Sequence, residues 1–206
     1  MALTIAGAAV DVWTEIPQNT AGEGAVVDLS DSFASTLHID VALGDTTAHT
    51  GTRIIVQTSS GAADDEFWTD RYDFVACVGT ANTEVILNDP LAAAATQIQV
   101  ADLTGFTVAT NGTLLAFLLD NTVANSELVR VVTTAVTGGN DQINLLDGVK
   151  RERAFATSVL SNIAATFAID LPMGTLRARV IVDNKYDADG AEAYFRTRVV
   201  KTTAVS

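Results

Sequence analysis

The chain has 206 residues, 48% of them hydrophobic and 18% charged, with a formal net charge of −13 at pH 7. This length can bury a true apolar core without disulfide or metal staples, and this composition excludes disorder as the main state. The acidic excess repels phosphate backbones and anionic lipid, so neither nucleic acid nor a membrane is expected as a direct partner.

In chain order, the first segment is apolar and contains glycine. Leu3, Ile5, Val10 and Val12 make it a candidate assembly arm that adds a strand to a neighbouring molecule. The alternative is a strand paired within its own sheet. The first ten residues lack a basic region, and Asp11 follows too early for a signal peptide. Leu37-His38-Ile39-Asp40-Val41 alternates apolar and polar residues as a half-buried strand does. Arg53-Ile54-Ile55-Val56-Gln57 is apolar on both faces, as a central strand is. Residues 67–78 read as one long or bent aromatic-rich strand. Within it Cys77, the one cysteine of the chain, is expected to be a buried, inert thiol. With a single cysteine no intramolecular disulfide and no cysteine-based zinc site can form.

Asn88-Asp89-Pro90 breaks the pattern. Leu91-Ala92-Ala93-Ala94-Ala95 has helix propensity but is too short to stand alone. Shorter strands come after it at 97–100, 114–119, 127–134, 142–146 and 158–163. From Thr166 the longer alternation returns, in Leu176-Arg177-Ala178-Arg179-Val180-Ile181-Val182 and Ala193-Tyr194-Phe195-Arg196-Thr197-Arg198-Val199. Gly44-Asp45, Ser60-Gly61, Asn111-Gly112, Gly138-Gly139 and Asp189-Gly190 punctuate these runs as turns. The pattern predicts an all-β fold, an antiparallel β-sandwich of jelly-roll-like type. Residues 1–87 plus 165–206 form the host sandwich, and residues 88–164 a small inserted β domain. Two consecutive domains, 1–88 and 89–206, are the alternative.

Catalytic patterns are sparse. His38 sits at a polar position of an alternating strand, and His49 lies in a polar loop. Neither accompanies a nucleophile-elbow pattern, so no triad is expected and the chain reads as a non-enzyme. Asp64-Asp65-Glu66 reads as a solvated loop. Asp183, Asp187 and Asp189 before Gly190 are a candidate calcium loop. Lys185 stands where the first ligand belongs, Arg196 where the last does, and the loop joins strands. A tight hairpin is the better reading, and no cofactor is expected. Trp13 and Trp68 would be needed as a platform if the chain were a carbohydrate-binding sandwich, but core packing is the expectation for both.

Several stretches resemble structural proteins of tailed bacteriophages. Thr36–Val41 with His49–Gln57 are similar to their first-half strands. Thr96-Gln97-Ile98-Gln99-Val100-Ala101-Asp102-Leu103-Thr104-Gly105-Phe106 resembles a short β motif of phage virion proteins. Asn125-Ser126-Glu127-Leu128-Val129-Arg130-Val131-Val132 is similar to the strand segment C-terminal to that motif in those proteins. Asn144-Leu145-Leu146-Asp147-Gly148 is similar to the turn and strand that close the unit. The run from Arg177 to Asn184, through Asp189-Gly190, is similar to their closing hairpin. The resemblance implies a virion protein of capsid decoration or minor capsid type, made in the host cytoplasm. It would associate with itself and with a major capsid or other virion protein. It implies no cofactor and carries over no catalytic residue. A subunit of a helical assembly, a phage tail tube or extracellular filament, is the rival reading.

Overall fold

The computed structural model describes residues 3–10, 12–43, 51–61, 67–77, 84–104, 106, 108, 113–137, 140–152, 158–161, 164–185 and 192–204. Within these, every long element is a strand, and the one helical turn is the 3₁₀ segment Val123–Asn125. The strands are β1 (Leu3–Val10), β2 (Thr14–Ile16), β3 (Ala21–Glu23), β4 (Val27–Asp28), β5 (Ala34–Leu43), β6 (Thr52–Ser59), β7 (Thr69–Ala76) and β8 (Glu84–Ile86). They continue as β9 (Gln97–Val100), β10 (Leu114–Asp120), β11 (Glu127–Ala135), β12 (Asp141–Leu145), β13 (Ser158–Ser161), β14 (Ala164–Asp170), β15 (Arg177–Asp183) and β16 (Ala193–Ala204).

Three antiparallel sheets result. One runs β1-β16-β5-β14 with β2 also on β16, and a second runs β3-β15-β6-β7 with β4 also on β15. The first half of the chain is thus paired with the last: β1 with β16, β3 with β15, β5 with β14, and β6 with β7 at the fold's bend. This is a long hairpin rolled up on itself. Rolling adds the pairs β16·β5 and β15·β6, which place the two sheets face to face. That connectivity is the jelly roll, and the molecule is an all-β antiparallel sandwich as the alternation predicts.

The period of two decides which side chains enter the core. On β5, Leu37, Ile39, Val41 and Leu43 point inward; on β6 it is Ile54 and Val56, and on β15 Ala178, Val180 and Val182. Phe195 and Val199 of β16 join them. Cys77 departs from expectation. The strand ends at Ala76, and Cys77 has φ +56°, a left-handed conformation that costs a non-glycine residue about 1 kcal/mol or more. The residue as a whole is half-buried, but its thiol is tucked inward, donating to the Val41 carbonyl at 3.8 Å, and desolvation pushes its pKa up to about 12.

Residues between β7 and β14 build the third sheet, β8-β13-β10-β11-β12-β9. This sheet rolls until its edges meet. Leu87 bridges Val100, and the Asn88 amide donates to the Gln99 carbonyl at 2.8 Å. Ile98, Val100, Leu118, Val131, Ile143 and Leu87 fill its interior. The 96–106 motif has a plain physical role. Ile98 and Val100 are inward residues of β9, and Asp102 accepts from the Thr104 amide and hydroxyl at 2.8 and 2.7 Å to make a turn. Phe106, 2% exposed, then plugs the roll. Gly148 is required by a close approach: a Cβ there would lie 2.6 Å from the Ala94 carbonyl oxygen, where the 91–95 and 147–149 loops bond each other. The 91–95 stretch is therefore a turn held by Val149, with Ala94 itself at φ +65°.

Candidate assembly surfaces

The outer face of the β1-β16-β5-β14 sheet holds the most concentrated polar chemistry. Asp40 is fully buried on that face. It accepts from Arg196 Nε and Nη2 at 3.1 and 2.6 Å, from Arg198 Nη2 at 3.3 Å, and from the Thr166 hydroxyl at 2.9 Å. Three adjacent strands supply these groups, because Asp40 on β5 lies opposite Arg196 on β16 and Thr166 on β14. Arg196 also stacks over Trp13, with its guanidinium carbon 4.8 Å from the ring centre. The strand alternation made Asp40 look solvent-facing. The missed signal was Arg196-x-Arg198, two cations on one face of one strand.

Next to this cluster the rolled sheet docks. Phe117 of β10 is fully buried between Trp13 at 4.6 Å and Tyr194 at 5.2 Å, with Ala42 beneath. Trp13 is 3% exposed and covered by these groups, and Arg179 lies 4.2 Å over the Trp68 ring. Neither indole is an open platform.

The opposite face, on the β3-β15-β6-β7 sheet, is an exposed lattice of ion pairs. Arg53 grips Asp73 through two bonds of 2.8 and 2.5 Å, which holds the Asp73 carboxyl below its ordinary range and pushes the Arg53 guanidinium up. Arg179 pairs with Glu23 at 2.6 Å and with Gln57 at 2.7 Å. On the rolled sheet, the outer faces of β9, β12 and β11 carry an uncharged ladder. Gln97 donates to Gln142 and Asn144, and Asn144 to Thr133.

One end of the sandwich exposes Phe67 and Met173 among polar neighbours. A cleft of about 200 Å³ opens there, lined by Thr58, Ser59, Phe67, Arg71, Met173 and their neighbours.

The other sequence candidates are placed across the fold. β1, carrying Leu3, Ile5 and Val10, pairs with residues 198–204 of β16 of the same chain, and Val12 beyond it is 62% exposed. His38 is half-buried on the outer face of β5 beside Arg198 and Ala168. Asp183 ends β15, and its carboxylate accepts from the Lys185 amide at 3.1 Å. Asn184, 2% exposed, donates to the Ile16 and Pro17 carbonyls and ties that turn to β2. His49, Asp64, Asp65, Glu66, Asp187 and Asp189 lie outside the described residues. Among the described residues no three His, Cys, Asp or Glu side chains gather in a metal-holding group, and no helix is long and apolar enough to cross a membrane.

No family model matches the sequence, and no curated protein matches it. Among solved structures, VP17, a capsid protein of bacteriophage P23-77, aligns with 99% of this chain and 100% of its own at 10% identity. The TM-score is 0.19, so this likeness carries no argument about fold or function.

Proposed function

We propose that this chain is a structural, non-enzymatic virion protein that associates with itself and stabilises a phage capsid as a decoration or cement subunit. The observation that carries the reading is the jelly-roll connectivity, an architecture used by viral capsid domains, here with a second β unit docked on its face. The side chains add to it. The polar groups best placed for chemistry are taken up by structure: Asp40 is saturated by two arginines and a threonine, and the Cys77 thiol is held protonated by burial. Lectins also use jelly rolls, but carbohydrate platforms need open aromatic faces; here Trp13 is buried and Arg179 lies over Trp68.

The test is immunogold electron microscopy with antibody raised against the purified chain, on particles from a lysate whose genome encodes it. Gold on heads is the expected result. Gold along tails would transfer the chain to a helical assembly, and particles free of gold would overturn the reading.

A further inference from the structure

A sheet edge presents unpaired N–H and C=O groups, and soluble proteins blunt such edges with charge, bulges, short strands or a cover. Among the described residues every edge but one is treated in this way. β2, β3 and β4 have three, three and two residues. β7 exposes Asp70, Arg71 and Asp73, and its register with β6 shifts. The register of β1 on β16 shifts between Ala8 and Val10. β8 and β9 meet where Leu87 bridges Val100. β14 is the exception. Its seven residues pair with β5 without a shift, and from Ala164 to Ile169 they include no charge and no proline.

The bonding direction along β14 follows from its end. The Leu171 amide donates to the Ser35 carbonyl at 2.9 Å, one step beyond the Asp170·Thr36 pair. Directions alternate along an antiparallel strand. Ile169, Phe167 and Ala165 therefore bond β5 as well, while Asp170, Ala168, Thr166 and Ala164 turn their amides and carbonyls to the open side. The Asp170 carbonyl agrees, since it accepts from the Tyr72 hydroxyl of the facing sheet at 3.1 Å. β5 is the one strand partner of β14 among the described residues, so the open-side groups of Ala164, Thr166 and Ala168 remain to be paired.

Those groups fit an extended strand, and the sequence of β14 fits a second β14. The residues with open-side groups read Ala164, Thr166, Ala168, the same in both directions. A two-fold contact must be self-complementary. Antiparallel pairing centred on Thr166 sets Thr166 against its own counterpart and Ala164 against Ala168 of the second copy, each pair exchanging both backbone bonds. On the inner face it sets Phe167, half-buried and 4.8 Å from Phe74, against the small Ala165. Asp170, the one charge of the strand, falls beyond the paired centre, so two chains of formal charge −13 meet along a neutral line. We infer that β14 pairs with β14 of a second copy about a two-fold axis at Thr166, joining two β1-β16-β5-β14 sheets into one. The inference rests on the proposed structural role and names the strand through which self-association runs.

Sedimentation velocity on the purified full chain over a wide concentration range reads the association. Wild type is expected to associate. Ala168→Pro removes an open-side amide and no bond to β5, a change that edge strands tolerate, and should raise the dissociation constant by at least about tenfold. Oxidation reads the register. Opposed residues that exchange both bonds have Cα atoms about 5.5 Å apart, within disulfide reach. Thr166→Cys should therefore give a disulfide-linked dimer on a non-reducing gel. Ala168→Cys should not, because its two counterparts lie roughly 14 Å apart along the strands. Wild type, with Cys77 alone, is the control. A monomeric wild type would overturn the strand contact and self-association together. In an associating wild type, no crosslink in Thr166→Cys, or as much in Ala168→Cys, overturns the strand contact and leaves self-association standing, as does undiminished association of a folded Ala168→Pro. Should the proline variant lose the wild-type circular dichroism spectrum, the two cysteine variants decide by themselves. The immunogold result tests virion location independently of either.

Discussion

At the scale of single residues, Asp40 and Cys77 show how burial fixes what a polar group does. Asp40 has a side chain 1% exposed and is bonded by Arg196 and Arg198. Desolvating a carboxylate is unfavourable, and the two guanidinium groups with the Thr166 hydroxyl offset that penalty. Removing the anion reverses the balance, because Arg196, with a side chain 17% exposed, would keep its charge without a partner. Asp40→Ala is therefore expected to cost about 3–5 kcal/mol, read as a lower urea midpoint at unchanged slope. A loss below about 1 kcal/mol would show the triad to be no stronger than a surface pair. Cys77 behaves oppositely, since burial alone acts on its thiol, with no cation beside it among the described residues. Its pKa rises from 9.0 to about 12 through desolvation. At pH 8 its thiolate fraction is about one in ten thousand, against roughly a quarter for a free cysteine. Alkylation of the folded protein should thus run about a thousandfold slower than that of free cysteine, and reach completion once the chain is denatured. The raised pKa also has a linked effect on stability. The contribution is whole below pH 9, where folded and unfolded thiols are both protonated, and is lost as pH climbs toward 12.

At the scale of elements, the long strands were legible because each carries its own periodicity. Leu37 to Val41 alternates strictly, Arg177 to Val182 and Ala193 to Val199 alternate over part of their length, and all lie in strands with inward residues on the expected face. The 97–100 strand was legible to the residue. The short strands β2, β3, β4 and β8 were not, since two or three residues hold no period and are placed by partners far along the chain. The end of β7 was missed for a different reason. Phe74 to Val78 is uniformly apolar, and nothing local says that Cys77 turns left-handed. The docking of the rolled sheet on the sandwich was also beyond local reading, because Trp13, Phe117 and Tyr194 come from three distant segments. That contact yields a prediction. Among the described residues Phe117 is the one side chain from the rolled sheet stacked between two rings of the sandwich, and it is fully buried. Phe117→Ala should cost about 3–5 kcal/mol, most of it in the coupling of the two units. The expected signature is a single cooperative unfolding transition in wild type that separates into two in the variant, measured by calorimetry. One transition merely shifted to lower temperature would mean that the units unfold together without this contact.

At the scale of the whole molecule, the alternation revealed that the chain is a sandwich but not how it closes. Pairing β1 with β16 joins residues at opposite ends of the sequence, and no spacing between neighbouring runs encodes that. Composition did convey an electrostatic condition on the proposed contact between copies. Each carries a formal −13 at pH 7, so two approaching molecules repel over the full range of the screening length. That length is about 30 Å at 0.01 M salt and about 10 Å at 0.1 M. Any exposed ion pair across such a contact is worth about 1 kcal/mol at most. Apolar burial between copies, by contrast, is insensitive to screening. Added salt should therefore tighten self-association, and lowering pH toward the sequence pI near 4.3 should act in the same direction by removing the charge. Sedimentation velocity at low and high sodium chloride decides the matter. A dissociation constant that falls with salt identifies apolar burial as the holding force, whereas one that rises would mean that local ion pairs dominate.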